Sequence, residues 1–301
     1  MRVVTPGSVM TAITRSSPPQ LGHLLKSMAN TRFSRAIQLI GVVHTLAAVP
    51  SAPPALLAAL GRATMSARSR ALHNVKSTFF VLGWVAERYP ELISAIHRQG
   101  HEVASHGYAH RRATEQNRDE FSNDVKRSKD HLEDLLGERI TGYRAPSFSI
   151  GYDNEWAFEV LAELDFGYSS STYTVKHELY GTPDWPRFAY KRKEGIIEIP
   201  IPTLKLIGKQ TPIGGGGYFR LYPYSMNRFL ISRYLEKEQQ PYSFYFHPWE
   251  IDDQQPRLKH APLKSRFRHY VNLDKTFGKL ERLLTDFSWG TMKNVYNIAS
   301  K

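Results

Sequence analysis

Two histidines four residues apart, in Ser105-His106-Gly107-Tyr108-Ala109-His110, are the residues whose type and spacing most directly suggest chemistry. Neutral imidazole nitrogens suit zinc, nickel or cobalt, and an i, i+4 pair on a helical turn puts both rings on one side. A single ion about 2.0–2.1 Å from each nitrogen can be held there. With 12 histidines in 301 residues the spacing alone is weak, since a helix start whose imidazoles bond to backbone fits it equally. Two further runs, Arg144-Ala145-Pro146-Ser147-Phe148 and Tyr245-Phe246-His247-Pro248-Trp249-Glu250, add an arginine and a third histidine. Together they read as pieces of one hydrolytic metal site. The chain has no cysteine, so disulfides and thiolate ligands are excluded and any metal must be held by nitrogen and oxygen.

These residues need elements to position them. From Val75 onward, short β-rich runs alternate with amphipathic stretches, the pattern of an α/β architecture with a mostly parallel sheet. Strands are predicted over 75–82, 101–105, 140–144, 196–201 and 242–247. Helices are predicted over 84–99, stopped by Gly100, and over 119–136, closed by Gly137. Others are expected over 153–164, capped by Asp153, over 225–237, and over 277–284. His106, Arg144 and His247 each fall at the C-terminal end of a predicted strand, the edge at which α/β barrels gather their catalytic groups.

The phrases Lys76-Ser77-Thr78-Phe79-Phe80-Val81-Leu82-Gly83, Gly100-His101-Glu102-Val103-Ala104-Ser105-His106, the Arg144 run, Gly214-Gly215-Gly216-Gly217-Tyr218-Phe219-Arg220 and Phe246-His247-Pro248-Trp249-Glu250 resemble the NodB-homology polysaccharide deacetylases. The resemblance covers about three quarters of the chain. The last two phrases, with the tail around Leu263-Lys264-Ser265-Arg266-Phe267-Arg268-His269-Tyr270, resemble the exosortase-associated exopolysaccharide subgroup with a C-terminal extension. It implies a distorted, incomplete (β/α) barrel and a divalent metal, zinc with cobalt or nickel as alternatives. The implied reaction removes N-acetyl groups from a bacterial polysaccharide or its precursor. His106 and His110 correspond to metal ligands, His247 to the general acid that protonates the departing amine, and Arg144 to an arginine that orients the catalytic carboxylate. Phe148, Tyr218 and Trp249 are candidates to contact the sugar, with simple core packing an equal alternative for Phe148 and Tyr218. The glycine run 214–217 lacks the Lys-Ser or Lys-Thr of a phosphate loop and reads as backbone approaching the substrate groove.

The first quarter departs from this pattern. Residues 1–74 contain eight Lys or Arg and no Asp or Glu, so of the formal +12 charge this stretch carries +8 and the remainder only +4. Basicity is local, which argues against nucleic acid as a partner. A transit peptide, a disordered basic arm, an export signal over 36–49 and translation in a shifted frame all fit an acid-free leader, and the shifted frame is the reading favoured. The apolar run at 36–49 is too short for a membrane span. The expected organisation is therefore 1–73 as an atypical, poorly packed segment, 74–251 as the barrel, and 252–301 as an extension packed on it. The family's first-strand acidic pair, one Asp as base and the next as third metal ligand, has no counterpart in 1–74, and Ser169 stands where the family typically has an Asp. Glu250 and Glu102 are the nearest carboxylates in sequence to substitute. A non-catalytic carbohydrate-binding protein on the same fold is the alternative, and a basic protein whose leader contacts anionic surfaces is a third.

Overall fold

The computed structural model describes residues 75–176, 181–206, 208–253, 255, 257 and 262–299, and residues 43–48 by their backbone. In chain order the strands are β1 (Val43–Ala48), β2 (Thr78–Val81), β3 (Glu102–Ser105), β4 (Gly142–Tyr143), β5 (Tyr168–Ser169), β6 (Tyr190–Lys191), β7 (Ile197–Glu198), β8 (Thr203–Leu206), β9 (Lys209–Pro212), β10 (Tyr242–Phe246) and β11 (Trp289–Gly290). The helices are α1 (Gly83–Arg88), α2 (Pro90–Arg98), α3 (Arg118–Leu136), α4 (Trp156–Glu163), α5 (Gly216–Leu221), α6 (Tyr224–Glu238), α7 (Leu263–Tyr270), α8 (Leu273–Asp286) and α9 (Met292–Val295).

One mixed sheet runs in the order β10-β1-β2-β3-β4-β5-β7-β6, with β11 added on β1, while β8 and β9 form a separate hairpin. From β2 through β7 the neighbours β2-β3-β4-β5-β7 are parallel, as the alternating pattern predicts. Successive side chains on a strand point to opposite faces. Accordingly Phe79, Val81 and Val103 pack with α1 to α4 residues such as Val85, Ile93, Phe121 and Phe158, whereas Phe80, Ala104, Tyr168 and Ile199 form a cluster on the other face. Each such buried Phe or Leu contributes about 1.5–3 kcal/mol relative to exposure.

Local chemistry explains the departures from the predicted elements. The helix predicted over 84–99 is two helices, because Tyr89 precedes Pro90 and leaves the helical region at φ −134°, ψ 56°. Helix α3 matches its expected span and has both signals: a capping box between Asn117 and Glu120, and Gly137 at φ 65°. The helix predicted from Asp153 starts later, at Trp156, after a single 3-10 turn at Tyr152–Asn154. The strand predicted over 140–144 shortens to Gly142–Tyr143.

Six residues of the acid-free leader form β1; the rest of 1–74 lies outside the described residues. β1 runs antiparallel to both β2 and β10, pairing Val43 with Phe80 and His44 with Phe246, and β11 adds to its other end. Its first residues thus lie beside the C-terminal ends of β2 and β10. Register pairs the His44 backbone with Phe79 of β2 and Phe246 of β10.

The C-terminal segment is woven into the molecule. Leu280 and Leu283 of α8 pack with Phe244 and Phe246 of β10. Met292 of α9 is fully buried among Phe80, Tyr168 and Ile199, and its amide donates to Thr78 Oγ1 at 2.8 Å.

Candidate functional site

His106 follows directly on β3, its amide donating to Val81 O at 2.8 Å. Its ring is buried, and Nδ1 lies 2.6 Å from the Arg144 carbonyl oxygen. With Nδ1–H donating there, Nε2 carries the free lone pair, the arrangement by which a carbonyl fixes a ligating imidazole. His110 reaches the same place without a helical turn. The loop 107–110 is held by α3: Asp124 accepts from the amides of Tyr108 at 2.8 Å and Ala109 at 3.2 Å. Gly107 sits at φ 77°, where a Cβ would fall 2.8 Å from the Asp124 carboxylate, and His110 itself is left-handed at φ 56°. The rings meet edge-on with centroids 5.1 Å apart. Burial pushes the His106 imidazole well below its usual range, helped by the neighbouring His110 and by the charges of Arg144 and His247 and opposed by the bond to the Arg144 carbonyl. Burial, then His247, pushes His110 down to about 4. Both rings are thus neutral at pH 7, the form a metal ion requires.

Arg144 ends β4 and is buried rather than at the surface. Nε donates to Ser170 O at 2.9 Å and an Nη donates to Ser170 Oγ at 2.7 Å, while the guanidinium lies 4.3 Å from the Phe80 ring and 5.7 Å from those of Phe148 and Tyr245. Burial brings its pKa down to about 10. The serine run supplies its seat. Ser169, in register with Glu198 on β7, donates to Ser171 Oγ at 2.7 Å, and the buried Glu198 accepts from the amides of Ser171 and Thr172, both at 2.9 Å. Glu198 therefore shapes the loop that holds Arg144.

His247 ends β10, and Pro248 begins a 3-10 turn that brings Glu250 back beneath it. Glu250 accepts from the His247 amide at 3.1 Å, lies 3.0 Å from His247 Nδ1, and accepts from Arg220 Nε at 2.9 Å. Burial alone would raise this carboxyl, but its bonds to His247 and the charge of Arg220 reverse that and leave it below the ordinary range. Arg220 continues to the carbonyls of His269 at 2.7 Å, Arg268 at 3.1 Å and Val271 at 3.3 Å. The glycine run makes room for this network: a Cβ at Gly216 would fall 2.3 Å from Glu250 Oε2, and Gly215 is bridged to Tyr245.

Contacts link the four residues in a chain: His106 bonds the Arg144 carbonyl and meets His110 edge-on, the Arg144 guanidinium lies 5.7 Å from the Tyr245 ring, and Tyr245 meets His247 edge-on at 6.2 Å. Trp249 stacks with His247 at 5.7 Å and with His269 at 4.3 Å between ring centroids. Phe148 is 8% exposed and meets Tyr173 and Tyr245 edge-on. Tyr218, on α5, is 42% exposed and stacks on Tyr222. Glu102 lies at the opposite end of β3 from His106, accepting from Thr78 Oγ1 at 2.5 Å, Tyr168 OH at 2.7 Å and Lys293 N at 3.1 Å.

A catalytic zinc takes three protein ligands and a water. Among the described residues no group of three His, Cys, Asp or Glu side chains is disposed to hold a metal ion. Two prepared imidazoles are present, and neither Glu102 nor Glu250 completes them.

Residues 71–168 match the polysaccharide deacetylase family, and residues 170–297 match a domain of unknown function, DUF3473. A peptidoglycan-N-acetylglucosamine deacetylase of Bacillus cereus is 38% identical over 76 residues, 25% of this chain and 26% of that protein. PgdA of Listeria monocytogenes, also a peptidoglycan-N-acetylglucosamine deacetylase, is 36% identical over 74 residues, 25% of this chain and 16% of that protein. The match therefore spans about a quarter or less of these relatives' length. A crystal structure from Mycobacterium smegmatis, assigned to the polysaccharide deacetylases, shares the fold with TM-score 0.50 and 20% identity over 93% of this chain and 83% of that chain.

Proposed function

We propose that this chain belongs to the N-deacetylase lineage and acts on N-acetyl groups of a bacterial polysaccharide or its precursor, with activity limited by the lack of a first-strand carboxylate pair. The observation that carries the reading is the convergence of two neutral imidazoles, a buried arginine and a carboxylate-held histidine at one sheet edge. Amide hydrolysis needs an activated water, stabilisation of the oxyanion and an acid for the departing amine. His247 fits the last role: Nδ1–H donates to Glu250, and the side chain is 25% exposed, leaving Nε2 to deliver a proton to a leaving nitrogen. Arg144 supplies a fixed positive charge beside the site. In the family a divalent metal, zinc or alternatively cobalt or nickel, activates the water; here the described residues offer it only His106 and His110. The slot beside β2, where the resemblance implies an acid-bearing strand, holds the antiparallel and acid-free β1.

That last observation favours a second reading, a carbohydrate-binding protein on the same fold without catalysis. Calorimetry with N-acetylglucosamine oligomers, with acetate assayed in the same samples, separates the two. Binding with acetate release supports the enzyme; binding without release, also after an acid-bearing first strand is restored, supports the binding protein; absence of binding contradicts both.

A further inference from the structure

Helix α7 packs with its apolar side outward. None of its eight residues is buried, and Leu263 and Phe267 are 80% and 61% exposed. At 3.6 residues per turn Leu263 and Phe267 fall on one stripe, with Lys264 and Arg266 at its flanks. The other side faces the protein. There His269 stacks on Trp249 and bonds Gln255 Oε1 at 2.8 Å, and Arg220 grips the carbonyls of Arg268 and His269. A surface helix ordinarily turns its apolar stripe to the core; α7 is fixed by its polar side, and its stripe is left for something outside the described residues.

The charge around the stripe is of one sign. Between Asp253 and Asp274 the chain has Arg257, Lys259, Lys264, Arg266 and Arg268 and no Asp or Glu. We propose that α7 is an interfacial helix, with Leu263 and Phe267 entering the headgroup–acyl boundary of an anionic lipid bilayer while Lys264 and Arg266 meet lipid phosphates. Exposed apolar residues flanked by Lys and Arg are the composition such helices use. A second copy of this chain fits less well, because it would bring the same positive charge to the contact. Since His269 stacks on Trp249, and Trp249 on His247, docking would hold the His247 edge roughly one helix diameter, about 10 Å, from the bilayer.

Because the chain has no cysteine, Leu263→Cys can carry a single environment-sensitive fluorophore on the full chain, and Lys193→Cys, exposed in the turn after β6, provides the control. The probes are vesicles of phosphatidylcholine alone and of phosphatidylcholine with phosphatidylglycerol. The leader's +8 charge attracts anionic vesicles by itself, so insertion of the label, rather than retention of the protein, is the readout. The proposal expects the label at 263 to shift to the blue and resist an aqueous quencher only with the anionic vesicles, with no change at 193. Phe267→Ser, with the label at 263, should raise about tenfold the concentration of anionic vesicles needed for half of the blue shift. A label at 263 that stays quenchable on vesicle-bound protein, or an absence of vesicle binding, would overturn the proposal. A blue shift without lipid that grows with protein concentration would assign the face to a second copy and overturn it equally.

Discussion

At the scale of residues, the arrangement rests on the chain of contacts from His247 through Glu250 to Arg220. Breaking a buried pair by removing one partner leaves a charge without compensation, so Glu250→Gln should lower unfolding stability by about 3 kcal/mol in urea titrations. It should also change the His247 tautomer seen by nitrogen NMR, which a purely structural role would leave alone. Gly216→Ala should cost about 1–3 kcal/mol, because its Cβ has no place beside the Glu250 carboxylate. His101 gives a pH dependence. Burial, with Lys76 nearby, pushes its imidazole from 6.5 down to about 4, so folding favours the neutral ring. That contribution is complete above pH 6.5 and is lost as pH falls from there toward 4. The urea midpoint should fall across this window, and His101→Gln should flatten the fall. Of these residues, His106, Arg144 and His247 were legible in the sequence because each ends a strand. Glu250 was visible only as a nearby carboxylate, although its place three residues after His247, with Pro248 between, is a turn signature. Arg220 and Ser170 gave no signal, since their partners are 30 and 26 residues away.

At the scale of elements, proximity of the two site histidines was legible and its cause was not. Four-residue spacing suggested a helical turn, whereas a loop tied to Asp124 and opened by Gly107 brings the rings together. Gly107→Ala should therefore cost about 1 kcal/mol in thermal or urea unfolding and loosen the histidine pair. Strands of two residues, such as β4 and β5, lie below what alternation can reveal, and their ends are set by pairing with neighbours. β1 was missed for a related reason: in Val43–Ala48 it is the pairing to β2, β10 and β11 that marks a strand. Amide exchange should be slow over Val43–Ala48, where β10 and β2 occupy both edges. Rapid exchange there would show that β1 does not occupy the slot.

At the scale of the whole molecule, the C-terminal segment is as much core as rim. Met292→Ala should destabilise by about 2–5 kcal/mol, measured by urea unfolding, because it empties a fully buried position among Phe80, Tyr168 and Ile199. The α/β plan follows from periodicity and strand ends, the roles expected of the site residues come from the resemblance, and the seating of 262–299 depends on contacts that no local pattern encodes. What the molecule lacks, in the described residues, is a third His, Asp or Glu disposed to hold a metal ion with His106 and His110, and removal of a general base alone costs about 10² to 10⁴ in rate. Acetate release from N-acetylated oligosaccharides is the most direct test, measured with zinc or cobalt titrated into the unmodified chain and into a version whose slot between β2 and β10 is refilled by an acid-bearing strand. Weak or absent release from the first and chelator-sensitive release from the second is the predicted result. Equal release from the two would contradict the account, because another group would then be serving as the base.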